Sequence, residues 1–149
     1  MTSITNQNIR AGAAKHSAVE TLALLALCSA YIQGPLTKAF DFQGAIAEMN
    51  HFGLSPAPLF AVGVPVFELA MSALILSGRL RWLGALALAV FTLMATYLAL
   101  RFWEMPAGPE HSAAMNDFFE HIGLSGAFVL VALTDLRRRT GIEVGRTPV

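Results

Sequence analysis

Glu68 lies nine residues after Leu59 and nine before Ser77, in a run that is otherwise free of charge. If that run crosses a bilayer, its carboxyl sits near the midplane, where an acidic side chain costs at least about 2.5–3.5 kcal/mol to insert. Two roles could justify that cost. One is a proton-handling or quinone-binding carboxyl inside a helix bundle; the other is a hydrogen-bonded Glu that holds helices together. Counting inward from the outer boundary puts Tyr31, Thr96, Tyr97 and Ser125 at a similar depth, as hydrogen-bond partners for the carboxyl. Pro65, one turn before Glu68, frees a backbone carbonyl nearby.

A second group of polar residues gathers in the connections on one side of the chain. Lys38 and Arg101 each close the outer end of an apolar run. Each either snorkels to the headgroups or pairs with Asp41, Glu104 or Glu120 to organise the mouth of the bundle. Trp103 stands with Phe102, Phe118 and Phe119 in an aromatic belt that could also host a quinone ring. Glu68, Tyr31, Lys38, Arg101 and Trp103 together form the candidate cofactor or proton site, with quinone as the group that would suit it. Three of the four histidines, His51, His111 and His121, fall on this side, among Glu48, Glu110, Asp117 and other acids. A di-iron site in a bundle needs two Glu-x-x-His units, and only Glu48 and His51 form one. No metal is assigned, and the cluster reads as a solvated polar rim. The single cysteine, Cys28, excludes an internal disulfide or a Cys-x-x-Cys pair and reads as a small apolar residue in a helix.

These residues need elements to hold them, and composition says which. Hydrophobic residues make up 55% of the 149 and charged residues 13%, against roughly 25% charged in soluble domains. A soluble domain of this size could not bury that much apolar surface. The expected fold is an all-α integral membrane bundle of four spans, at about 16–38, 59–77, 82–103 and 118–136, each near the roughly 20 residues a bilayer requires. The run Thr21 to Ile32 is read as a retained first helix rather than a cleaved signal. Gly34-Pro35 marks a kink near the outer end of the first span. Asp41 as N-cap, Phe42, Ile46, Met49 and Phe52 at helical spacing, and Gly53 as stop predict a short amphipathic helix in the outer interface. Met105-Pro106-Ala107-Gly108-Pro109 reads as a rigid turn, and Gly123 with Gly126-Ala127 as places where the fourth helix approaches a neighbour closely. Residues 1–15 and 137–149 form tails, Met1 to about Ala14 and Thr140 to Val149 being expected to lack structure.

Basic residues give the orientation. With the N-terminus inside, the inner set is Arg10, Lys15, Arg79, Arg81, Arg137, Arg138, Arg139 and Arg146, and the outer set is Lys38 and Arg101. That asymmetry predicts both termini in the cytoplasm. Formal net charge is zero, and no basic stripe carries interleaved aromatics, so the lipid bilayer rather than nucleic acid is the expected partner.

Several of these segments also occur together, in order, in a known family. Lys38-Ala39-Phe40-Asp41, Phe52-Gly53-Leu54-Ser55-Pro56-Ala57-Pro58, Glu68, Phe102-Trp103 and Phe118-Phe119 before a Gly-containing helix resemble the DoxX family over about residues 16–136. The resemblance implies a small four-helix inner-membrane protein of bacteria or archaea. It also implies a link to quinone-dependent redox complexes, since family members are associated with a terminal quinol oxidase or resemble thiosulfate:quinone oxidoreductase subunits. Redox-complex subunits or further copies of the chain are the implied protein partners. Two positions depart from the family pattern: Leu100-Arg101 precede Phe102 where His is common, and His121 stands where Asn is common. The fold is better specified than the activity, so a non-catalytic scaffold or envelope protein and a small transporter remain alternatives to an accessory redox subunit.

Overall fold

A computed structural model describes residues 2–140, with side chains from Ala18 onward. The chain forms α1 (Thr2–Phe40), α2 (Phe42–His51), α3 (Ala57–Ser77), α4 (Arg81–Ala99), a single 3-10 turn at Phe102–Glu104, and α5 (Pro109–Thr140). No strand occurs among the described residues. Four segments are long and apolar enough to cross a membrane: Ala18–Phe40, Ala57–Ser77, Arg81–Glu104 and Pro109–Thr140. The protein is an all-α, multi-pass membrane protein, as composition required.

Local chemistry sets the ends of these helices. The Asp41 carboxylate accepts a hydrogen bond from the Gly44 backbone N–H at 2.9 Å and so starts α2. Gly53, at φ +70°, ends it in a left-handed conformation that a side chain would strain. Gly78, at φ +72°, does the same for α3 and opens the hairpin into α4. α1 continues through Gly34 and Pro35 to Phe40 without ending there.

Two boundaries differ most from the sequence expectation, beside smaller shifts at the end of α4 (Ala99 rather than 103) and of α5 (Thr140 rather than 136). Helix α1 extends back to Thr2, through the segment expected to lack structure. Helix α5 begins at Pro109 rather than near Phe118. The fixed φ of proline suits a first helical position, and the Ser112 N–H and Oγ both reach the Gly108 carbonyl, at 3.1 and 3.2 Å. The expected tail beyond Thr140 lies outside the described residues.

Helix α1 packs on α3, α3 on α4, α4 on α5, and α2 lies across α3. The apolar face of α2 is thereby turned to the bundle: Ala45 and Met49 are buried against Ala57 and Ala61 of α3. Gly84 is the residue that lets α3 and α4 come close. A Cβ there would stand 2.7 Å from the Met71 carbonyl oxygen. Gly123 and Gly126, expected to serve that purpose, instead have no atom within 4 Å of where a Cβ would stand. They lie away from the contact with α4, so the expectation fails for want of a facing neighbour. The main core joins Leu24, Cys28 and Tyr31 of α1, Ile75 of α3, Leu88 of α4 and Phe128 of α5. Large side chains such as Leu59, Val66, Val90, Met94 and Leu130 point outward, where acyl chains rather than water are the solvent.

Candidate functional site

Polar groups concentrate at two levels of the bundle. The first is the layer around Glu68, whose Oε2 is buried and has no hydrogen-bond partner among the described residues. The charges that act on it belong to Lys38 and Glu48, and Glu68 in turn acts on Tyr31. Lys38 Nζ donates to Glu48 Oε1 at 3.1 Å, which ties the end of α1 to α2 near the carboxyl. Three of the sequence candidates, Glu68, Tyr31 and Lys38, are therefore in one electrostatic neighbourhood, and Glu48 joins them.

The four hydroxyl groups expected to hydrogen-bond the carboxyl are otherwise disposed. The Tyr31 and Thr92 hydroxyls bond each other, and Thr92 also donates to the Leu88 carbonyl at 2.7 Å. Ser125 donates to the His121 carbonyl at 2.9 Å. Thr96 Oγ1 is buried without a partner among the described residues, and Tyr97 points outward with its ring 5.8 Å from that of Trp103. The reason is azimuth. Equal depth does not give equal facing, because successive helix residues turn by about 100°. Tyr31 is fixed between Thr92 and the edge of Phe128, whose ring centroid is 5.3 Å away.

Arg101 and Trp103 are held elsewhere. Arg101 pairs with Glu104 at 3.3 Å, one of the partners expected for it, on an exposed turn. The Trp103 ring contacts Tyr97, Phe102 and Phe118. Phe102 is the hub of that cluster, touching Phe118, Phe119 and His111 as well. These aromatic residues thus form one cluster that packs the turn after α4 against the start of α5. The histidines of this side are engaged singly: His51 with Phe52, His111 with Phe102, and His121 Nδ1 with the Asp117 carbonyl at 2.6 Å. Among the described residues no three His, Cys, Asp or Glu side chains converge as metal ligands.

The second level, at the α3–α4 hairpin, is a network that the sequence reading missed. Glu20 Oε1 accepts from Arg81 at 2.7 Å and from Arg138 at 2.9 Å, joining α1, α4 and α5. Asp135 Oδ2 accepts from the Trp82 backbone N–H at 3.2 Å and from Arg139 at 2.8 Å. It therefore caps the first turn of α4 from a different helix, where a negative charge also meets the positive end of the helix dipole. Arg139 donates onward to the Gly78 and Arg79 carbonyls, at 2.9 and 2.5 Å, and Arg81 Nε to the Ile75 carbonyl at 3.0 Å. Orphan carbonyls at the end of α3 and orphan N–H groups at the start of α4 are satisfied by one set of side chains. The signal available in the sequence was an acid, Glu20 or Asp135, placed among the arginines at the ends of three spans.

A family model described as DoxX matches residues 21–101, more than half of the chain. The chain belongs to the DoxX family. No curated protein and no solved structure matches it. The DoxX match takes in Tyr31, Lys38, Glu48 and Glu68 and ends at Arg101. Two segments that carried the resemblance, Phe102-Trp103 and Phe118-Phe119, lie beyond it. So do Asp135, Arg138 and Arg139, and Glu20 falls just before it, so the DoxX segment supplies the Glu68 layer but, of the hairpin-end network's side chains, only Arg81.

Proposed function

We propose that this DoxX-family protein is an accessory subunit of a quinone-linked redox complex in a bacterial inner membrane, with both termini cytoplasmic. The observation that carries this reading is the Glu68 carboxyl: buried, unpartnered at Oε2 among the described residues, and within electrostatic reach of Lys38, Glu48 and Tyr31. A buried polar atom left unsatisfied costs about 1–3 kcal/mol, and a ligand can supply the missing bond. Protonated, Glu68 would donate to a quinone carbonyl; ionised, it would accept from a quinol hydroxyl. Redox cofactors are assigned to partner subunits, which leaves this chain without an activity of its own. The orientation is supported by Arg79, Arg81, Arg137, Arg138 and Arg139, which gather at one end of the bundle through the bonds of Arg139 to the hairpin.

The test is quinone content. The full chain, isolated from its native membranes with its partners, is expected to retain quinone, and Glu68→Gln to lose most of it. Equal quinone in both preparations would end this reading. A ligand-free scaffold is the second reading, favoured by the solid packing of Ile75, Leu88 and Phe128, all fully buried. It predicts that partner proteins are recovered equally with the native chain and with Glu68→Gln, with no quinone in either sample.

A further inference from the structure

Helices α1 and α5 are not packed backbone to backbone. α1 lies on α3 and α5 on α4, and the two meet through long side chains: the Tyr31 and Phe128 rings halfway along, and Glu20 with Arg138 at the hairpin end. Between these contacts an open groove of about 760 Å³ faces out of the bundle. Its floor and walls include Ala23, Leu24, Leu130 and Val131, and Arg81 and Arg138 stand at its polar end together with Glu20 and Asp135. Ala23 keeps it open, since a small side chain stands where a larger one would fill the space. From Leu130 to Arg138 the groove runs along α5 for about 12 Å at 1.5 Å per residue.

The arginines gathered around the polar end outnumber the acids, although the two that line the groove, Arg81 and Arg138, are matched by Glu20 and Asp135. Arg79, Arg81, Arg137, Arg138 and Arg139 stand there with Glu20 and Asp135. Arg81 and Arg139 are committed to backbone carbonyls as well as to these acids. Among the described residues Arg138 has a single ion pair, with Glu20, and its side chain is 58% exposed. An apolar channel that opens to lipid and ends at a half-free guanidinium matches the two halves of one molecule. We propose that the α1–α5 groove binds an anionic phospholipid, one acyl chain lying along Leu24, Leu130 and Val131 and the phosphate resting on Arg138. Basic sites between transmembrane helices recognise anionic headgroups in this way, and the bilayer supplies the ligand.

The experiment counts lipids held by the full chain in detergent, by native mass spectrometry after equilibration with equal amounts of phosphatidylglycerol and phosphatidylcholine. One phosphatidylglycerol is expected to be retained in preference to phosphatidylcholine. Arg138→Gln should lower that preference about five-fold. Ala23→Phe, which fills the groove and leaves every charge in place, should abolish retention of the lipid without lowering the unfolding temperature. A preference unchanged in Arg138→Gln, or retention unchanged in Ala23→Phe, would overturn the proposal. Displacement of the lipid by excess inorganic phosphate would do so too, since it would reduce the site to an anion contact with no part for the groove.

Discussion

Asp135 and Glu68 are both acids on apolar helices, and the bundle surrounds them in opposite ways. Asp135 accepts from a backbone N–H of α4 and from Arg139, and Arg139 passes the contact on to the carbonyls that end α3. Glu68 has a buried oxygen without a partner among the described residues, although Tyr31, Thr92, Thr96 and Ser125 carry hydroxyl groups in the same core. The hairpin end is therefore built as a joint, in which helix ends, acids and arginines satisfy each other. The Glu68 layer holds unspent bonding capacity. In a medium where hydrogen bonds cannot be borrowed from water, that contrast is the ground for proposing that Glu68, unlike Asp135, meets a ligand.

The largest effect is expected where the joint depends on backbone proximity. Gly84→Leu puts side-chain atoms where a Cβ alone would stand 2.7 Å from the Met71 carbonyl. α3 and α4 must move apart, and the loss should reach the upper part of the roughly 1–3 kcal/mol range for overpacking. Thermal unfolding in detergent measures it. Wild-type stability in this variant would mean that the two helices do not pack at Gly84. Asp135→Ala comes next. It removes the cap of α4 and leaves Arg139 without its acid, and about 2 kcal/mol is expected from the loss of charged hydrogen bonds. The side chain of Asp135 is 11% exposed, so screening by water is slight. Glu68→Leu should reverse the sign and raise stability by about 1 kcal/mol, because it deletes an unsatisfied buried atom. A loss of stability as large as that of Asp135→Ala would erase the contrast and make Glu68 another strut.

The sequence makes the spans and α2 legible for a physical reason. A helix in lipid must satisfy its own backbone over a bilayer's thickness, so length and apolarity are enough to find it. Asp41 and Gly53 mark α2 just as directly, through a side-chain cap and a positive φ. Depth is legible in part: Glu68 acts on Tyr31 and is acted on by Lys38. Azimuth is not. Nothing in the chain says that Tyr31 turns to Thr92 rather than to Glu68, or that Gly84 and not Gly123 faces a neighbour. The hairpin-end network was hidden for a related reason. Its bonds join residues far apart in sequence, such as Glu20 and Arg81 at a separation of 61, and arginines at helix ends already had an explanation in topology.

A still smaller effect on stability should come from Lys38, and it is the one that divides the two roles most cleanly. Its pair with Glu48 is partly exposed, with side-chain exposures of 20% and 41%, and such pairs contribute less than about 1 kcal/mol. Lys38→Ala should therefore barely move the unfolding temperature. Lys38 is nonetheless the first of the two charges acting on Glu68, so quinone retained by the complex should fall in this variant. Arg101→Ala serves as the control, since its pair with Glu104 is on an exposed turn; it should change neither quantity. If Lys38→Ala and Arg101→Ala behave alike in quinone retention, Lys38 is only a tie between α1 and α2, and the Glu68 layer has no mouth at that point.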